Sequence, residues 1–336
     1  MPLTLAGLLM IPAMALAGAC RRDAGHSMPA GHPLAAATAS AAASARRAKA
    51  PAGGRRDLVE AFSGQQAYAY TRAVVDFGPR PPGTAAHRKM EAYILARLRA
   101  DGAAIELDRF TASTPVGRLP MVNIIAKFPA AAAGRPLLMV AGHYDTKRLP
   151  HFVGANDGGS STGMLLELAQ VLAHHRLSDP VWLLFLDGEE ALRHWTASDS
   201  VYGSRQLAAK FQQEGLAPRI RALILVDMIG DKQLDIPRDT YSTGWVNDFV
   251  ESAARQLGYS RYFFQTKTAT EDDHQPFLHA GIPAVDLIDT TYGPSNRNVF
   301  GRWWHTPQDT MDKLSPNSFT IVGRTVLKTL QLLAQQ

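Results

Sequence analysis

Six short apolar runs set the strongest limit on the fold of this chain. They cover residues 105–110, 122–128, 137–141, 181–186, 223–226 and 284–288, and helix-like stretches at 164–173, 204–213, 246–256 and 318–333 alternate with several of them. Such alternation is typical of a parallel or mixed sheet whose faces are covered by helices. We therefore predict an α/β domain with a twisted, mixed and largely parallel β-sheet.

Periodic sequence begins at Asp57 and marks the predicted start of this domain. Helix-like segments follow at residues 58–77 and 85–99, and Asp101-Gly102 supplies a helix stop. Residues 21–56 consist mainly of Ala, Ser, Gly and Pro with scattered Arg, a composition that buries too little apolar surface to offset chain entropy. We predict a flexible linker over residues 21–56 and a single folded domain over residues 57–336.

The first 20 residues have the pattern of an export signal. They are apolar and end in small residues, but the run is short for a membrane span. The ending Ala17-Gly18-Ala19-Cys20 resembles the lipobox of bacterial lipoproteins, in which the cysteine is lipidated and becomes the new N-terminus. An ordinary cleaved signal with an incidental cysteine is the alternative. We expect an exported protein, either periplasmic or anchored to the membrane through lipidated Cys20.

The distribution of charge argues against a nucleic-acid partner. The whole chain has a formal net charge of +5. Seven basic residues and one acidic residue precede Asp57, so that part carries +6 and the predicted domain carries −1. Because the predicted domain is near neutral, the positive charge belongs to the N-terminal part and gives no support to a nucleic-acid partner. Contact with a membrane is expected only through a possible N-terminal lipid.

Cys20 is the only cysteine, which limits the chemistry of the domain. No disulfide within the chain is possible, and no thiolate is available to the folded part. Any metal site in the domain must therefore be built from His, Asp and Glu.

Four predicted strands run directly into acidic or imidazole side chains. In chain order these are His143 with Asp145, Asp187 with Glu189 and Glu190, Asp227, and Asp289. A single carboxylate after a strand is more often a helix cap or a loop charge than a ligand. In open α/β sheets, however, ligands bind at the carboxyl ends of the strands. Four such ends together predict a functional site at that edge of the sheet.

Asp157 and His305 add further oxygen and nitrogen ligands to this set. These ligand types suit zinc, and three protein ligands leave one position open for a substrate. Glu189 and Glu190 are adjacent, and adjacent carboxylates do not both bind one ion comfortably. One of them can therefore ligate while the other remains a free base. Asp145 is placed to hold His143 in one tautomer, as metal-site histidines require.

Taken together and in order, these segments resemble the M28 metallopeptidase superfamily and, within it, the glutaminyl-peptide cyclotransferases of the animal type. The likeness covers nearly the whole chain from Asp57 onward, and it implies a zinc-aminopeptidase-like catalytic domain over residues 57–336. The segments that carry it are His143-Tyr144-Asp145-Thr146-Lys147, the loop with Asp157, Phe185-Leu186-Asp187-Gly188-Glu189-Glu190-Ala191, Asp199-Ser200-Val201-Tyr202-Gly203-Ser204-Arg205, Asp272-Asp273-His274-Gln275-Pro276-Phe277 and Trp304-His305-Thr306.

The resemblance implies a ligand set and a proton carrier. Asp157, Glu190 and His305 would bind one catalytic zinc ion per chain, and Glu189 would act as the acid and base. His143 would contribute to a second metal site or support the first.

The resemblance also implies the residues that surround the substrate. Asp272 and Asp227 would belong to a catalytic hydrogen-bond network, and Trp195 and Trp304 would line the substrate pocket. Asp286 stands where the family has a histidine, which leaves its part in that network open.

The implied reaction is the cyclisation of N-terminal glutamine on peptides or proteins, which gives pyroglutamate and ammonia. The main alternative is an M28 aminopeptidase with two zinc ions, because His143 and Asp227 would complete a second metal site. Three features favour the cyclotransferase: Asp272 where aminopeptidases usually have Ser, Trp304 where they usually have Tyr, and Trp195 in the stretch after Glu190. A catalytically inactive peptide-binding lipoprotein is a third possibility.

Overall fold

The computed structural model describes residues 57–131, 133–294 and 300–336. The predicted signal peptide at residues 1–20 and the predicted linker at residues 21–56 lie outside this range and stay predictions. None of the helices within the described range combines the length and apolarity needed to cross a bilayer.

Strands and helices alternate along the described chain. The strands are β1 Ala104–Thr114, β2 Gly117–Phe128, β3 Leu137–His143, β4 Val181–Leu186, β5 Ile220–Asp227, β6 Ile236–Asp239, β7 Phe263–Thr268 and β8 Ala284–Ile288. The α-helices are α1 Leu58–Ala61, α2 Gly64–Val75, α3 Ala85–Ala100, α4 Gly159–His174, α5 Tyr202–Gln213, α6 Gly244–Gln256, α7 His274–His279 and α8 Pro316–Leu333.

Six of these strands form one mixed sheet in the order β1-β2-β4-β3-β5-β8. The strands β4, β3, β5 and β8 are mutually parallel, whereas β1 and β2 add to the edge as antiparallel strands. The predicted largely parallel sheet flanked by helices is confirmed. Because the four parallel strands run in the same direction, their carboxyl ends meet at one edge of the sheet, where the predicted site residues follow.

Side chains of the central strands alternate between two apolar layers. Leu183 and Phe185 of β4 pack in the larger core beneath α2, α4 and α8, whereas Leu184 and Leu186 pack in the core beneath α5 and α7. A strand that is buried on both faces has apolar residues at every position rather than at alternate ones. This explains why these strands read as continuous apolar runs in the sequence.

The structure differs from the sequence prediction at two places. The stretch predicted to be helical over residues 58–77 forms two helices rather than one, because the chain is extended at Phe62 and a new helix begins after Ser63. Ser63 is the N-cap of α2, and its side chain accepts a hydrogen bond from the Gln66 amide. The small parallel sheet of β6 and β7 was not predicted either, since β6 has only four residues and no alternating pattern.

Candidate active site

The carboxyl edge of the parallel strands collects most of the predicted site residues. His143 ends β3, Asp227 ends β5, and Glu189 and Glu190 follow β4. Asp157 comes from the connection between β3 and α4, and His305 comes from the segment between β8 and α8. The sheet therefore brings together residues that are as many as 162 positions apart in sequence, from His143 to His305.

Asp157, Glu190 and His305 form a group that fits a metal ion. His305 Nε2 lies 3.2 Å from Asp157 Oδ2 and 3.1 Å from Glu190 Oε1. Ligands at about 2.1 Å from a tetrahedral zinc ion lie about 3.4 Å from one another, so these spacings suit zinc. Apart from this contact with His305, the buried Asp157 Oδ2 has no hydrogen-bond partner among the described residues, so a bound cation would satisfy it.

Charge at this group also favours a cation. Burial lowers the pKa of His305, but the carboxylates of Glu190 and Asp157 outweigh it and raise that pKa to about 9. Lys147 Nζ binds Glu190 Oε2 at 3.0 Å, which leaves Oε1 directed at His305. The ring of Trp304 stacks on His305 with 3.7 Å between centroids, and this fixes the plane of the imidazole.

His143, Asp157 and Asp227 form a second group that shares Asp157 with the first. His143 Nε2 lies 3.3 Å from Asp157 Oδ1 and 3.2 Å from Asp227 Oδ1. The oxygen Asp227 Oδ1 also accepts a hydrogen bond from the Met228 amide at 2.8 Å. That oxygen is thus engaged in hydrogen bonds, although the ligand types alone would also suit a second ion.

Asp145 supports both the glutamate segment and His143. Its Oδ1 accepts hydrogen bonds from the amides of Gly188 and Glu189 at 3.0 and 3.1 Å, and its Oδ2 accepts one from Glu190 at 3.4 Å. Oδ1 also lies 3.5 Å from His143 Nδ1, a nitrogen that has no hydrogen-bond partner among the described residues, so the role of Asp145 in selecting the tautomer stays a prediction. The sequence predicted the contact with His143 but not the three amides.

Two buried residues hold the loop that carries Asp157. Asp309 accepts hydrogen bonds from the amides of Asn156 and Asp157 at 2.8 and 3.1 Å. Arg80 is completely buried and donates to the carbonyls of Val153 and Gly154 at 2.7 and 3.0 Å. Neither role was predicted. Asp309 follows His305 by four positions, which is the only signal in the sequence that places it near the site.

The backbone around the ligands is unusually constrained. His305, Met228 and Val201 have left-handed φ values of 53°, 47° and 43°, which are rare for residues with a side chain. Gly158, next to Asp157, has a φ of 77°, and a Cβ there would lie 2.3 Å from the Asp145 carbonyl oxygen. Only glycine fits that position. Such strain clusters at functional sites because the surrounding structure over-determines the backbone.

Glu189 lies beside the ligands without belonging to the first group. Its side chain is 7% exposed and lines a cavity of about 540 Å³ together with Asp157, Glu190 and His305. Burial raises the pKa of Glu189 well above its usual range, and the nearby carboxylates of Glu190 and Asp272 raise it further. A carboxyl group in this setting holds its proton more tightly than a free one, which makes Glu189 a candidate proton carrier.

The same cavity has an aromatic wall. Trp195, Phe300 and Trp304 all line it. Trp195 is 39% exposed, and its Nε1 donates to Glu271 Oε2 at 3.2 Å. The structure therefore places both predicted tryptophans at the cavity. Residues 295–299, which precede Phe300, lie outside the described range.

Asp272 and Asp227 also line the cavity, and their part in a catalytic network stays a prediction. Asp273 occupies the N-cap position of α7 without a side-chain cap bond, and its carboxylate instead accepts a hydrogen bond from Ser204 Oγ. Asp286 is fully buried on β8 and does not line the cavity. Burial raises its pKa well above the usual range, as do the carboxylates of Asp272 and Asp239.

Comparison with known proteins identifies the family of this fold and site. Residues 123–330 match the model of peptidase family M28. A glutaminyl-peptide cyclotransferase-like protein of Mus musculus is 35% identical over 268 residues, which cover 70% of this chain and 67% of that protein. The chain belongs to the glutaminyl-peptide cyclotransferases of peptidase family M28.

Solved structures of this family have the same fold. A crystal structure of an Acidobacteriales bacterium glutaminyl cyclase is 43% identical, with a TM-score of 0.79 over 85% of this chain and 99% of that chain. A Zn-dependent exopeptidase from Parabacteroides distasonis is 28% identical, with a TM-score of 0.70 over 80% of this chain and 98% of that chain. The predicted zinc-aminopeptidase-like fold is confirmed.

Proposed function

We propose that this chain is a zinc-dependent glutaminyl-peptide cyclotransferase that converts N-terminal glutamine of peptides and proteins to pyroglutamate. One observation carries the proposal. Asp157, Glu190 and His305 meet in a cavity with a tryptophan wall, and the carboxyl group of Glu189 stands beside them outside their ligand group. This arrangement supplies a cation site, a proton carrier and a shaped pocket together.

Asp157, Glu190 and His305 would hold one zinc ion per chain. Zinc bound there would supply Lewis acidity toward a substrate carbonyl oxygen. We assign His143 and Asp227 to a hydrogen-bonded network rather than to a second ion, because Asp227 Oδ1 already accepts a hydrogen bond from the Met228 amide at 2.8 Å, whereas no amide of the described residues donates to Asp157 Oδ2 in the first group. A metal count on purified protein tests this assignment, since two equivalents of zinc would favour the aminopeptidase arrangement.

Glu189 would move the proton in the reaction. The free α-amine of the substrate attacks the carbon of its own side-chain amide, so that a ring C–N bond forms and the bond to the amide nitrogen breaks. The carboxylate accepts a proton from the attacking nitrogen and returns it to the departing nitrogen, which leaves as ammonia. No water is consumed. An α-amine titrates near pH ~8, and a nearby carboxylate is therefore well placed to collect its proton.

Trp195 and Trp304 would hold the flexible glutamine side chain in its ring-closing shape. Fixing the reacting atoms in this way removes much of the entropy cost of cyclisation. Asp272 and Asp227, which line the same cavity, are suited to hydrogen-bond the substrate amine and amide.

Ammonia release from a peptide with N-terminal glutamine tests the proposed function directly. We expect purified protein to release one ammonia per peptide and to leave the peptide chain intact. An aminopeptidase would instead release the free arylamine from a glutamine arylamide. A full rate of arylamine release, with no ammonia, would therefore exclude the cyclotransferase assignment.

Glu189→Gln tests the proton carrier. We expect it to keep zinc and to lose roughly 10²- to 10⁴-fold in turnover, the range for a positioned acid or base. Glu167→Gln is a matched control, because Glu167 is also buried but lies on α4 and accepts from the Ser63 amide at 2.9 Å. Unchanged turnover in Glu189→Gln would move the base to another residue.

We further propose that the enzyme is exported, either as a free periplasmic protein or with Cys20 lipidated. Support comes from the apolar segment over residues 1–20 and its lipobox-like end. Mass spectrometry of the mature N-terminus distinguishes the two forms. A full-length, uncleaved chain in the native cell would contradict export through this signal.

A further inference from the structure

A second cavity of about 540 Å³ adjoins the reaction cavity. It lies between α5 and α7, and Arg205, Ala209 and Pro276 are among the residues that line it. Trp195, Glu271 and Asp272 line both cavities and thus form their common wall. Sites for small ligands have volumes of about 300–1,000 Å³, so the second cavity is large enough to hold part of a peptide.

Trp195 of the common wall lies on the loop between Glu190 and α5, and hydrogen bonds within that loop hold it in place. Asp199 accepts hydrogen bonds from the amides of Leu192, Arg193 and His194 at 2.9, 2.9 and 3.0 Å. The amide of Val201 binds the Glu189 carbonyl at 2.8 Å, which closes the loop against the catalytic segment. Trp195 is therefore presented by a fixed loop, and an ordered wall lowers the entropy cost of binding a ligand along it.

Most of the residues that line the second cavity are uncharged; the charged ones are Arg205 and, on the common wall, Glu271 and Asp272. Glu271 Oε2 is already engaged by Trp195 Nε1 at 3.2 Å. Arg205 Nε donates to the Ser200 carbonyl at 3.2 Å, and its guanidinium lies 5.1 Å from the ring centre of Tyr202. Within the described residues no carboxylate forms an ion pair with Arg205. A guanidinium group whose remaining N–H donors are unpaired can bind a carboxylate through two parallel hydrogen bonds.

We propose that this second cavity binds the part of the substrate that follows the N-terminal glutamine, and that Arg205 favours an acidic residue there. The inference rests on the proposed function. Only the amine and side chain of the first residue take part in cyclisation, so the rest of the peptide must leave the reaction cavity. An extended chain advances about 3.3–3.6 Å per residue, and its next residues pass along Trp195 into the adjoining cavity.

Three substrates distinguish this subsite from the reaction centre. They are the dipeptide amide Gln-Ala-NH₂, the tetrapeptide amide Gln-Ala-Glu-Ala-NH₂ and its counterpart with Lys in place of Glu. We expect wild-type kcat/KM for the Glu tetrapeptide to exceed that for the Lys tetrapeptide by about tenfold, as for a partly desolvated charge pair. Arg205→Met should bring that ratio close to one.

Ala209→Trp tests the cavity itself. Ala209 is exposed on α5, so the new side chain can fill the cavity without displacing core residues. We expect the ratio of kcat/KM for the Glu tetrapeptide over that for the dipeptide amide to fall about tenfold or more. Gln213→Trp is the matched control, because Gln213 is also exposed on α5 but does not line the cavity. This control should keep the wild-type ratio.

The outcomes separate the two proposals. If wild-type protein releases no ammonia from any of the three peptides, the proposed function fails and the subsite fails with it. If ammonia is released but Ala209→Trp and Gln213→Trp have the same tetrapeptide-to-dipeptide ratio, the reaction centre stands and the second cavity does not bind the substrate. An unchanged Glu-to-Lys preference in Arg205→Met overturns the assignment of Arg205.

Discussion

Replacing Asp145 by Asn should weaken zinc binding although Asp145 is not a proposed ligand. Its carboxylate accepts from the amides of Gly188, Glu189 and Glu190 at 3.0, 3.1 and 3.4 Å. The Asn side chain keeps one acceptor oxygen for Gly188 and Glu189 but turns an NH₂ group toward the Glu190 amide. The hydrogen bond that positions the proposed ligand Glu190 is therefore lost.

The expected magnitude follows from that single bond. A hydrogen bond to a charged group contributes about 1.5–3 kcal/mol. If most of it appears in metal binding, the zinc dissociation constant rises roughly 10- to 100-fold, since each ~1.4 kcal/mol is a factor of ten. The same range is typical for residues that orient metal ligands. Turnover in ammonia release at saturating zinc should fall as well, because a shift of Glu190 displaces the adjacent Glu189.

Competition of the protein with a chelator of known zinc affinity measures this effect. Asp179→Asn is the matched control, because Asp179 is equally buried but precedes the amino end of β4, where it pairs with Arg135. Both variants should lower the melting temperature, but only Asp145→Asn should weaken zinc binding. If the two variants have the same zinc affinity as wild type, Asp145 does not position Glu190 and the reasoning is refuted.

Three further outcomes are expected. Glu190→Ala should lose zinc on dialysis, and a metal count of one per chain in this variant would contradict its assignment as a ligand. Zinc at 100 times its dissociation constant should stabilise the apoprotein by about 2.7 kcal/mol in chemical unfolding, whereas no stabilisation would mean that the native state has no zinc site. Burial lowers the pKa of His87, but Asp187 and Glu91 outweigh it and raise that pKa to about 10. The folded state therefore holds this proton more tightly, so stability should fall as pH rises from about 6.5 to 10. Urea unfolding of wild type and His87→Gln at pH 6 and pH 9 measures this, and an equal pH dependence in both would remove His87 as its source.

The sheet and most helices were predictable because their causes are local. Residues 181–186 read as a strand since every side chain in β4 meets one of two apolar cores. Thr84 begins α3 by accepting from the His87 amide, and capping residues of this type are visible in sequence. The pair β6 and β7 was not predictable in this way. Strand β6 has only four residues, and a sequence that short does not distinguish a strand from a loop.

The candidate ligands were predictable because parallel strands end at one edge. Glu189, Glu190 and Asp227 follow predicted strands directly, and the resemblance to a known family supplied Asp157 and His305. The residues that position them were not predictable. Asp309 binds the amide of Asp157 across 152 positions of sequence, and no local pattern reports such a contact.

The sequence by itself determined that this chain has a mixed β-sheet flanked by helices, and which carboxylates and imidazoles stand at the ends of its strands. The pattern of apolar residues and the direction of the strands suffice to predict the sheet and the residues at its strand ends, because both patterns involve residues that are close together in the chain. Only the tertiary structure decided which oxygen of each carboxylate faces which nitrogen. It also decided that Asp145 spans three amides and that Trp195 divides two cavities. These features depend on distances of 3–4 Å between segments far apart in sequence, and such distances are set by the packing of the whole domain.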